Sequence, residues 1–129
     1  MRHWVQYHNP ERYGEFQPSE RDFGIVTSKK VDSLVGDRVW LVSRRGKPTI
    51  YVLCETFIVE SVGSEGSEPH RNFARASQGQ PFKPPVRISD EDWFLRLRRL
   101  TQNFRRGLFH IKDEEIVEGL MAVSARTPR

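Results

Sequence analysis

Positively charged side chains form two short clusters in the first half of the chain. Lys29-Lys30 follows a β-branched run, and Arg44, Arg45 and Lys47 surround a glycine in the segment RRGKP. Lysine and arginine in such turns bind phosphate groups of nucleic acids, and these contacts add affinity without base preference. Both clusters are equally typical of solvated surface turns, so their charge alone leaves the two interpretations open.

Residues that could bind a metal or catalyse a reaction form no recognisable motif. The histidines are scattered along the chain at His3, His8, His70 and His110, and neither an H-E-x-x-H run nor a glycine-rich phosphate loop is present. The acidic runs 90–92 and 113–115 are typical of the first turns of helices. Cys54, the only cysteine, lies in an apolar run and is predicted to be an inert core thiol. We therefore predict a protein that is not an enzyme and has no metal or cofactor.

The composition predicts one basic globular domain spanning residues 1–129. The 21 Lys and Arg against 17 Asp and Glu give a net charge of +4, which favours polyanionic partners. A single cysteine excludes an intramolecular disulfide, and no apolar run has the length of a signal peptide or a membrane span. These features predict a cytoplasmic protein with no membrane partner.

Alternating apolar and polar residues predict the strands that must position these side chains. The segment 3–9 alternates before Pro10, which places Trp4 and Tyr7 on opposite faces, and 23–27 is a short β-branched run. The segments 38–43 and 49–62 are apolar on both faces, as in strands covered on two sides or closed into a barrel. The turn RRGKP between them predicts a hairpin with a basic tip.

The second half predicts a long loop followed by two helices. Residues 63–88 are rich in Gly, Ser and Pro and predict the loop. Ser89 and Asp92 have the spacing of a capping box before a first helix that ends near Gly107, and a second helix begins near Asp113. The first helix has an apolar stripe formed by Trp93, Leu97, Leu100 and Phe104, and the second has one formed by Ile116, Val117, Leu120 and Met121.

The order of segments over residues 3–62 resembles the PUA-like superfamily, especially its EVE and ASCH branches. The residues that carry the resemblance are an N-terminal strand with Trp4 and Tyr7, the basic turn KKVDSLV, the pair Gly36-Asp37, and the hairpin RVWLVSRRGKPTIYVLCETFIVE. The family's second-strand tryptophan is replaced here by Phe23-Gly24. The resemblance implies an α+β fold, a small mixed β-barrel with flanking C-terminal helices, that reads DNA or RNA.

In the EVE branch a modified base often enters an aromatic-lined pocket, and the resemblance implies such a pocket here. A base taken out of its stack needs planar apolar surfaces and a few hydrogen bonds to its Watson–Crick edge. Trp4, Tyr7 and Trp40 are candidates for the surfaces, although each is equally typical of core packing. His8, Asn9 and Ser28 are candidates for the hydrogen bonds. The clusters of Lys29, Lys30, Arg44, Arg45 and Lys47 would then hold the flanking phosphates.

Three functions follow from these patterns. The first is a non-enzymatic nucleic-acid reader that acts alone or with a separate effector protein, because no nuclease motif accompanies it. The second is an ASCH-like RNA-processing enzyme, for which Lys29 or Lys30 with Glu55 is the only candidate pair. The third is a protein-interaction module that docks a partner on the apolar stripe of the first helix, although burial of that stripe within the chain is the more common outcome.

Overall fold

The computed structural model describes residues 1–13, 22–64 and 71–126. The described part of the chain forms eight strands, two longer helices and a single helical turn, an α+β fold. In chain order these elements are β1 (His3–Tyr7), α1 (Pro10–Tyr13), β2 (Phe23–Thr27), β3 (Arg38–Arg45), β4 (Ile50–Ile58), β5 (Ser61–Ser64), β6 (Asn72–Ala76), β7 (Gln80–Arg87), α2 (Phe94–Leu100), β8 (Phe109–Ile111) and α3 (Glu114–Arg126).

The strands pair as two sheets. The larger sheet has the order β7-β4-β3-β1-β8, and the smaller has the order β2-β6-β5. Within the larger sheet β1 pairs parallel with β3, and the other neighbours are antiparallel. No closed barrel is found among the described strands, so the coarse α+β expectation is confirmed and the strand pairing is that of two open sheets.

The larger sheet is covered on both faces, which explains why its central strands are apolar throughout. One face packs against α2 and α3 in a cluster that includes Trp40, Leu53, Leu97 and Leu120. The other face packs against the smaller sheet in a cluster that includes Leu41 and Phe57 with residues of β2 and β6. Alternate residues of β3 and β4 therefore enter different cores, as expected for strands buried on two sides.

The central hairpin is confirmed. β3 and β4 pair from Arg38 opposite Ile58 to Arg45 opposite Ile50, and Gly46 turns the chain with φ of 73°. Only Gly and a few polar residues adopt this left-handed conformation easily, so the glycine of RRGKP is required by the turn. β4 then leads through residues 59–60 into β5 of the second sheet, which accounts for the length of the apolar segment.

The prediction of a long loop over residues 63–88 is wrong. The end of β5, all of β6 and all of β7 lie in this segment, and residues 65–70 lie outside the described residues. The prolines of β7 are typical of a loop, but β7 is an edge strand that pairs only with β4, and an edge strand tolerates proline. In β6, Ala74 and Ala76 are buried in the core between the two sheets.

Both predicted helices are present, although the first is shorter and begins differently. Its N-cap is Trp93, without a side-chain hydrogen bond, and Ser89 instead accepts a hydrogen bond from the Tyr51 amide, so the predicted capping box is wrong. α2 ends at Leu100, and the chain continues through a turn with three consecutive positive φ values at 102–104. Trp93, Leu97 and Phe104 are buried, so most of the apolar stripe packs against the rest of the chain. Leu100 is exposed.

Asp113 caps the second helix as expected. Its Oδ1 accepts hydrogen bonds from the amides of Glu115 and Ile116 at 3.0 and 3.2 Å. Ile116 and Leu120 are buried, Val117 packs against the same core, and Met121 is exposed. Among the described residues no helix is long and apolar enough to cross a membrane.

Candidate functional site

A groove with a volume of about 690 Å³ lies beside β8, at the edge of the larger sheet. Its lining comes from the turn after β2, the end of α2, the segment between α2 and β8, β8 itself and the residues that lead into α3. These residues are Lys29, Leu100, Arg106, Leu108, Phe109, His110, Lys112 and Asp113. The volume lies within the range of pockets that bind small molecules.

Three of the lining side chains are cations that no described carboxylate neutralises. Lys29, Arg106 and Lys112 are exposed, and none of them forms an ion pair with the described residues. The Arg106 guanidinium lies over the Phe109 ring, 5.2 Å from its centroid. A cation over an aromatic face is held in place without being neutralised, so it keeps its charge for an anionic ligand.

The one carboxylate in the groove, that of Asp113, is already engaged. It caps α3 and accepts a hydrogen bond from Arg96 Nη1 at 3.1 Å. Burial alone would raise the pKa of Asp113, but the amide of Ile116 and the Arg96 guanidinium outweigh it and hold the pKa below its usual value. Because Arg96 and the helix N-terminus balance this negative charge, the groove as a whole is positive.

His110 provides a polar, uncharged group in the groove. Burial, followed by the nearby charges of Lys112 and Arg2, lowers the pKa of His110 below 6.5. This shift favours the neutral imidazole, in which one ring nitrogen is a donor and the other an acceptor. A neutral imidazole can bind the edge of a base, whereas the neighbouring cations suit phosphates.

Trp4 and Asp37 hold His110 in position. The indole of Trp4 stacks on the imidazole with centroids 4.8 Å apart, and its Nε1 donates a hydrogen bond to Asp37 Oδ2 at 3.0 Å. Asp37 also accepts hydrogen bonds from the amide and the Nε of Arg2, at 3.1 and 2.8 Å. The aspartate of the Gly36-Asp37 pair thus fixes the N-terminal strand and, through it, one wall of the groove.

Lys29 is positioned by a hydrogen-bonded turn. Its amide donates to Thr27 Oγ1 at 3.1 Å, and its carbonyl accepts from Asn72 Nδ2 at 2.8 Å. Its aliphatic chain lies 3.8 Å from the position that a Cβ at Gly107 would occupy. The turn after β2 is thereby joined to the segment that leads into β8.

A second groove of about 460 Å³ shares His110 and Lys112 with the first. Its lining includes Met1 and Arg2 on one side and the carboxylates of Glu114 and Glu118 on the other. Because its charges are mixed, it is less suited to a polyanion than the first groove.

The residues predicted for the base pocket do not converge on one site. Trp4 lies on the face of β1 that packs towards the smaller sheet, whereas Tyr7 lies on the helix face and stacks on Phe104 at 5.3 Å. A strand alternates its side chains, so positions 4 and 7 point in opposite directions, as the alternation itself predicts. The Tyr7 hydroxyl is buried and has no hydrogen-bond partner among the described residues.

The other predicted pocket residues have structural roles or lie elsewhere. Trp40 is fully buried, with its Nε1 donating to His3 Nδ1, so the structure places it in the core. The carbonyl of His8 accepts from Ser43 Oγ, and Asn9 Oδ1 accepts from the Glu11 amide at the start of α1. Ser28 is exposed beside Lys29.

Of the predicted phosphate contacts, only Lys29 lines the groove. Lys30 is exposed next to it in the same turn. Arg44 forms an ion pair with Glu11 at 2.7 Å, and Arg45 and Lys47 lie with it near the tip of the central hairpin. The two clusters therefore belong to different parts of the surface.

The residues proposed for a catalytic site do not form a common site. Glu55 is 2% exposed in the middle of β4 and forms no ion pair with Lys29 or Lys30, which are exposed. Cys54 is buried, and burial raises the pKa of its thiol to about 12, as expected of an inert core cysteine. Across the described ranges, no group of three or more His, Cys, Asp or Glu side chains could hold a metal ion.

Sequence reasoning misses most of the groove. The helical pattern places Arg106 on the exposed face of a helix, and His110 stands in the sequence as one of several scattered histidines. The signal that could have indicated a short strand here is the run Leu108-Phe109-His110-Ile111 after Gly107, in which three of the four residues are bulky and apolar. Comparisons with protein-family models, with curated proteins and with solved structures gave no match.

Proposed function

We propose that this protein is a non-enzymatic nucleic-acid reader and that the groove beside β8 is its binding site. The observation that carries the proposal is the combination, in one groove, of an aromatic ring and a neutral imidazole with three cations that have no ion pair among the described residues. These cations are Lys29, Arg106 and Lys112. Cations suit the phosphates, whereas Phe109 and His110 offer a base a planar surface and hydrogen bonds.

The resemblance to the PUA-like superfamily supports the same function and extends it to a modified base. In this proposal the two packed sheets are an open form of the small β-barrel of that family. The base enters the groove at Phe109 and His110, rather than a pocket formed by Trp4, Tyr7 and Trp40. A separate effector protein would act on the nucleic acid that the reader selects.

The test is a binding measurement with short DNA and RNA, single- and double-stranded, containing unmodified or modified cytosine or adenine. Fluorescence anisotropy at several salt concentrations gives both the affinity and its salt dependence. A variant with Lys29→Ala, Arg106→Ala and Lys112→Ala should bind all sequences more weakly. The slope of log K against log salt should become shallower by about 0.7–0.9 for each phosphate that the variant no longer neutralises.

A matched control removes three positive charges away from the groove, with Lys83→Ala, Arg87→Ala and Arg126→Ala. This control should retain most of the affinity, because only general attraction is reduced. An equal loss of affinity in both triple variants would contradict a site at the groove. Failure of the wild-type protein to bind any of the oligonucleotides would contradict nucleic-acid binding itself.

A further inference from the structure

His110 lies where the two grooves meet, because it lines both of them. Its imidazole stacks on the indole of Trp4, with the ring planes inclined by 26°. Neither ring nitrogen forms a hydrogen bond with any residue that the structure describes. Stacking therefore orients the ring, and within the described part of the chain nothing competes with a ligand or a proton for its nitrogens.

His3, the other histidine of the second groove, is not available in this way. Its Nδ1 accepts a hydrogen bond from Nε1 of the buried Trp40 at 3.0 Å. A proton on that nitrogen would leave a buried donor without an acceptor, which is costly. Of the two histidines in the grooves, His110 is therefore the one that can take up a proton without breaking a hydrogen bond of the core.

The charges around His110 differ between its two sides. The titratable and charged groups that face it come from the N-terminus, β1, the turns after β2 and before β3, both flanks of β8, and α3. They are the Met1 amine, Arg2, His3, Lys29, Asp37, Arg106, Lys112, Asp113, Glu114 and Glu118. Asp37 is paired with Arg2 and Asp113 with Arg96, whereas Glu114 and Glu118 line only the second groove. Cations therefore dominate on the side of the first groove.

These cations oppose protonation of His110 in the free protein. Burial, then the charges of Lys112 and Arg2, lowers the pKa of its imidazole, and Asp37 offsets only part of this effect. A phosphate bound at Lys112 would balance one of these positive charges and bring a negative charge close to the ring. Both changes favour the imidazolium. The indole of Trp4 also suits a cation on its face.

We infer that binding of a nucleic acid in the groove is coupled to the uptake of a proton by His110, so that acidic pH strengthens binding. Because the two equilibria are linked, a ligand that favours the imidazolium binds the imidazolium form more tightly by the same factor. The affinity should rise as the pH falls through the titration of His110 and should be constant above and below that range. This inference rests on the proposed function and adds its regulation by pH.

The experiment measures binding between pH 5 and 8 at constant ionic strength, by fluorescence anisotropy. The probes are oligouridylate and a duplex DNA of adenine and thymine, whose bases do not titrate in this range. The wild-type protein should bind about 5- to 10-fold more tightly at pH 5 than at pH 8. His110→Gln keeps a polar side chain that does not titrate, and it should lose most of this dependence. His8→Gln, a histidine that follows β1 away from the groove, should keep it.

A second measurement follows the proton directly and needs no variant. The imidazole of His110 is titrated by NMR in the wild-type protein, alone and with the more tightly bound of the two probes. The midpoint of the titration should lie at a higher pH in the complex than in the free protein. The difference between the two midpoints should account for the pH dependence of the affinity.

Each contrary result has its own meaning. Equal midpoints in the free and bound protein, together with weaker binding by the triple groove variant, would overturn the proton coupling and leave the proposed function intact. A pH dependence that persists in full in His110→Gln would assign the proton to another group and overturn the coupling in the same way. Absence of wild-type binding to both probes at every pH would overturn both proposals.

Discussion

The indole Nε1 of Trp4 donates a hydrogen bond to Oδ2 of Asp37 at 3.0 Å, which ties the first strand to the turn before the third. The same carboxylate accepts from the Arg2 amide and from Arg2 Nε. A mostly buried carboxylate that accepts three hydrogen bonds has a structural role, because hydrogen bonds to a charged acceptor are stronger than neutral ones. The Gly36-Asp37 pair, which as a sequence motif indicates only a turn, is therefore an anchor for the N-terminus.

Replacing Asp37 with Asn should destabilise the fold by about 1–3 kcal/mol, because Arg2 loses its counter-charge and at least one of the three partly buried donors loses its acceptor. Trp4→Phe should cost less, since Asp37 keeps both hydrogen bonds from Arg2. Urea unfolding of the two single variants and the double variant measures the coupling. Strict additivity of the two effects would show that the Trp4–Asp37 hydrogen bond contributes nothing.

The free energy of unfolding should decrease at acidic pH because Asp37 becomes protonated. Burial favours a higher pKa, but the hydrogen bond from Trp4 and the interactions with Arg2 lower the pKa of Asp37 below its ordinary value of 3.8. Its contribution is present above pH 3.8 and is lost as the pH falls through the folded-state pKa. Unfolding curves between pH 2 and 5 should show a shallower acid limb in Asp37→Asn than in the wild-type protein.

Glu55 should give a pH dependence of the opposite sign. Burial raises the pKa of its carboxyl from 4.5 to about 7. The unfolded chain releases this proton first, so the contribution of Glu55 to stability is fully present below pH 4.5 and is lost, by roughly 3 kcal/mol, as the pH rises through about 7. Denaturant unfolding across this range measures the fall.

The control for Glu55 is its neutral counterpart. Glu55→Gln should remove most of the fall between pH 4.5 and 7 and should be more stable than the wild-type protein at pH 8. Glu118→Gln, an exposed carboxyl on α3, should leave the wild-type profile unchanged. A profile of Glu55→Gln that matches the wild type would show that Glu55 is ionised in the folded state.

Trp40→Phe separates core packing from base recognition. The substitution removes part of a fully buried ring and the hydrogen bond to His3, and it should destabilise the fold by about 1–3 kcal/mol. Nucleic-acid affinity, measured well below the melting temperature, should remain at the wild-type value. A selective loss of affinity without a loss of stability would return Trp40 to the binding site.

Gly119→Ala should destabilise the protein although alanine favours helices. An added Cβ at Gly119 would lie 2.1 Å from Nε1 of Trp93, whose indole is buried. The overpacking should cost about 1–3 kcal/mol, which exceeds the gain in helix propensity of roughly 1 kcal/mol. Thermal unfolding checks the sign, and Met121→Ala on the exposed face of α3 serves as the control with little effect.

The sequence predicts those elements whose local pattern agrees with their burial. β1, β2 and the β3–β4 hairpin alternate or are apolar on both faces, and α3 has both an acidic cap and an apolar stripe. β7 escapes prediction because Pro81, Pro84 and Pro85 indicate a loop, and only its place at the edge of the sheet makes them acceptable. The start of α2 is mispredicted because the Ser89 hydroxyl interacts with Tyr51, a contact that local spacing does not contain.

The candidate site is harder to predict than the fold. Lys29 is identified from its charge, but Arg106, His110 and Lys112 become neighbours of Lys29 only when β8 is placed at the edge of the larger sheet. Such neighbours depend on sheet order, which no local pattern encodes. The sequence predicts a direct role of Trp4 in binding, whereas the structure gives it contacts with Asp37 and His110.

The central hairpin supplies residues to both apolar clusters, Trp40 and Leu53 to one and Leu41 and Phe57 to the other. Both apolar clusters therefore depend on the same hairpin. Neither cluster should stay folded when the other unfolds. Amide protons of β3 and β4 should exchange with deuterium only through global opening, and their exchange free energies should equal the full unfolding free energy. A single calorimetric transition should accompany that behaviour, in spite of the two sheets.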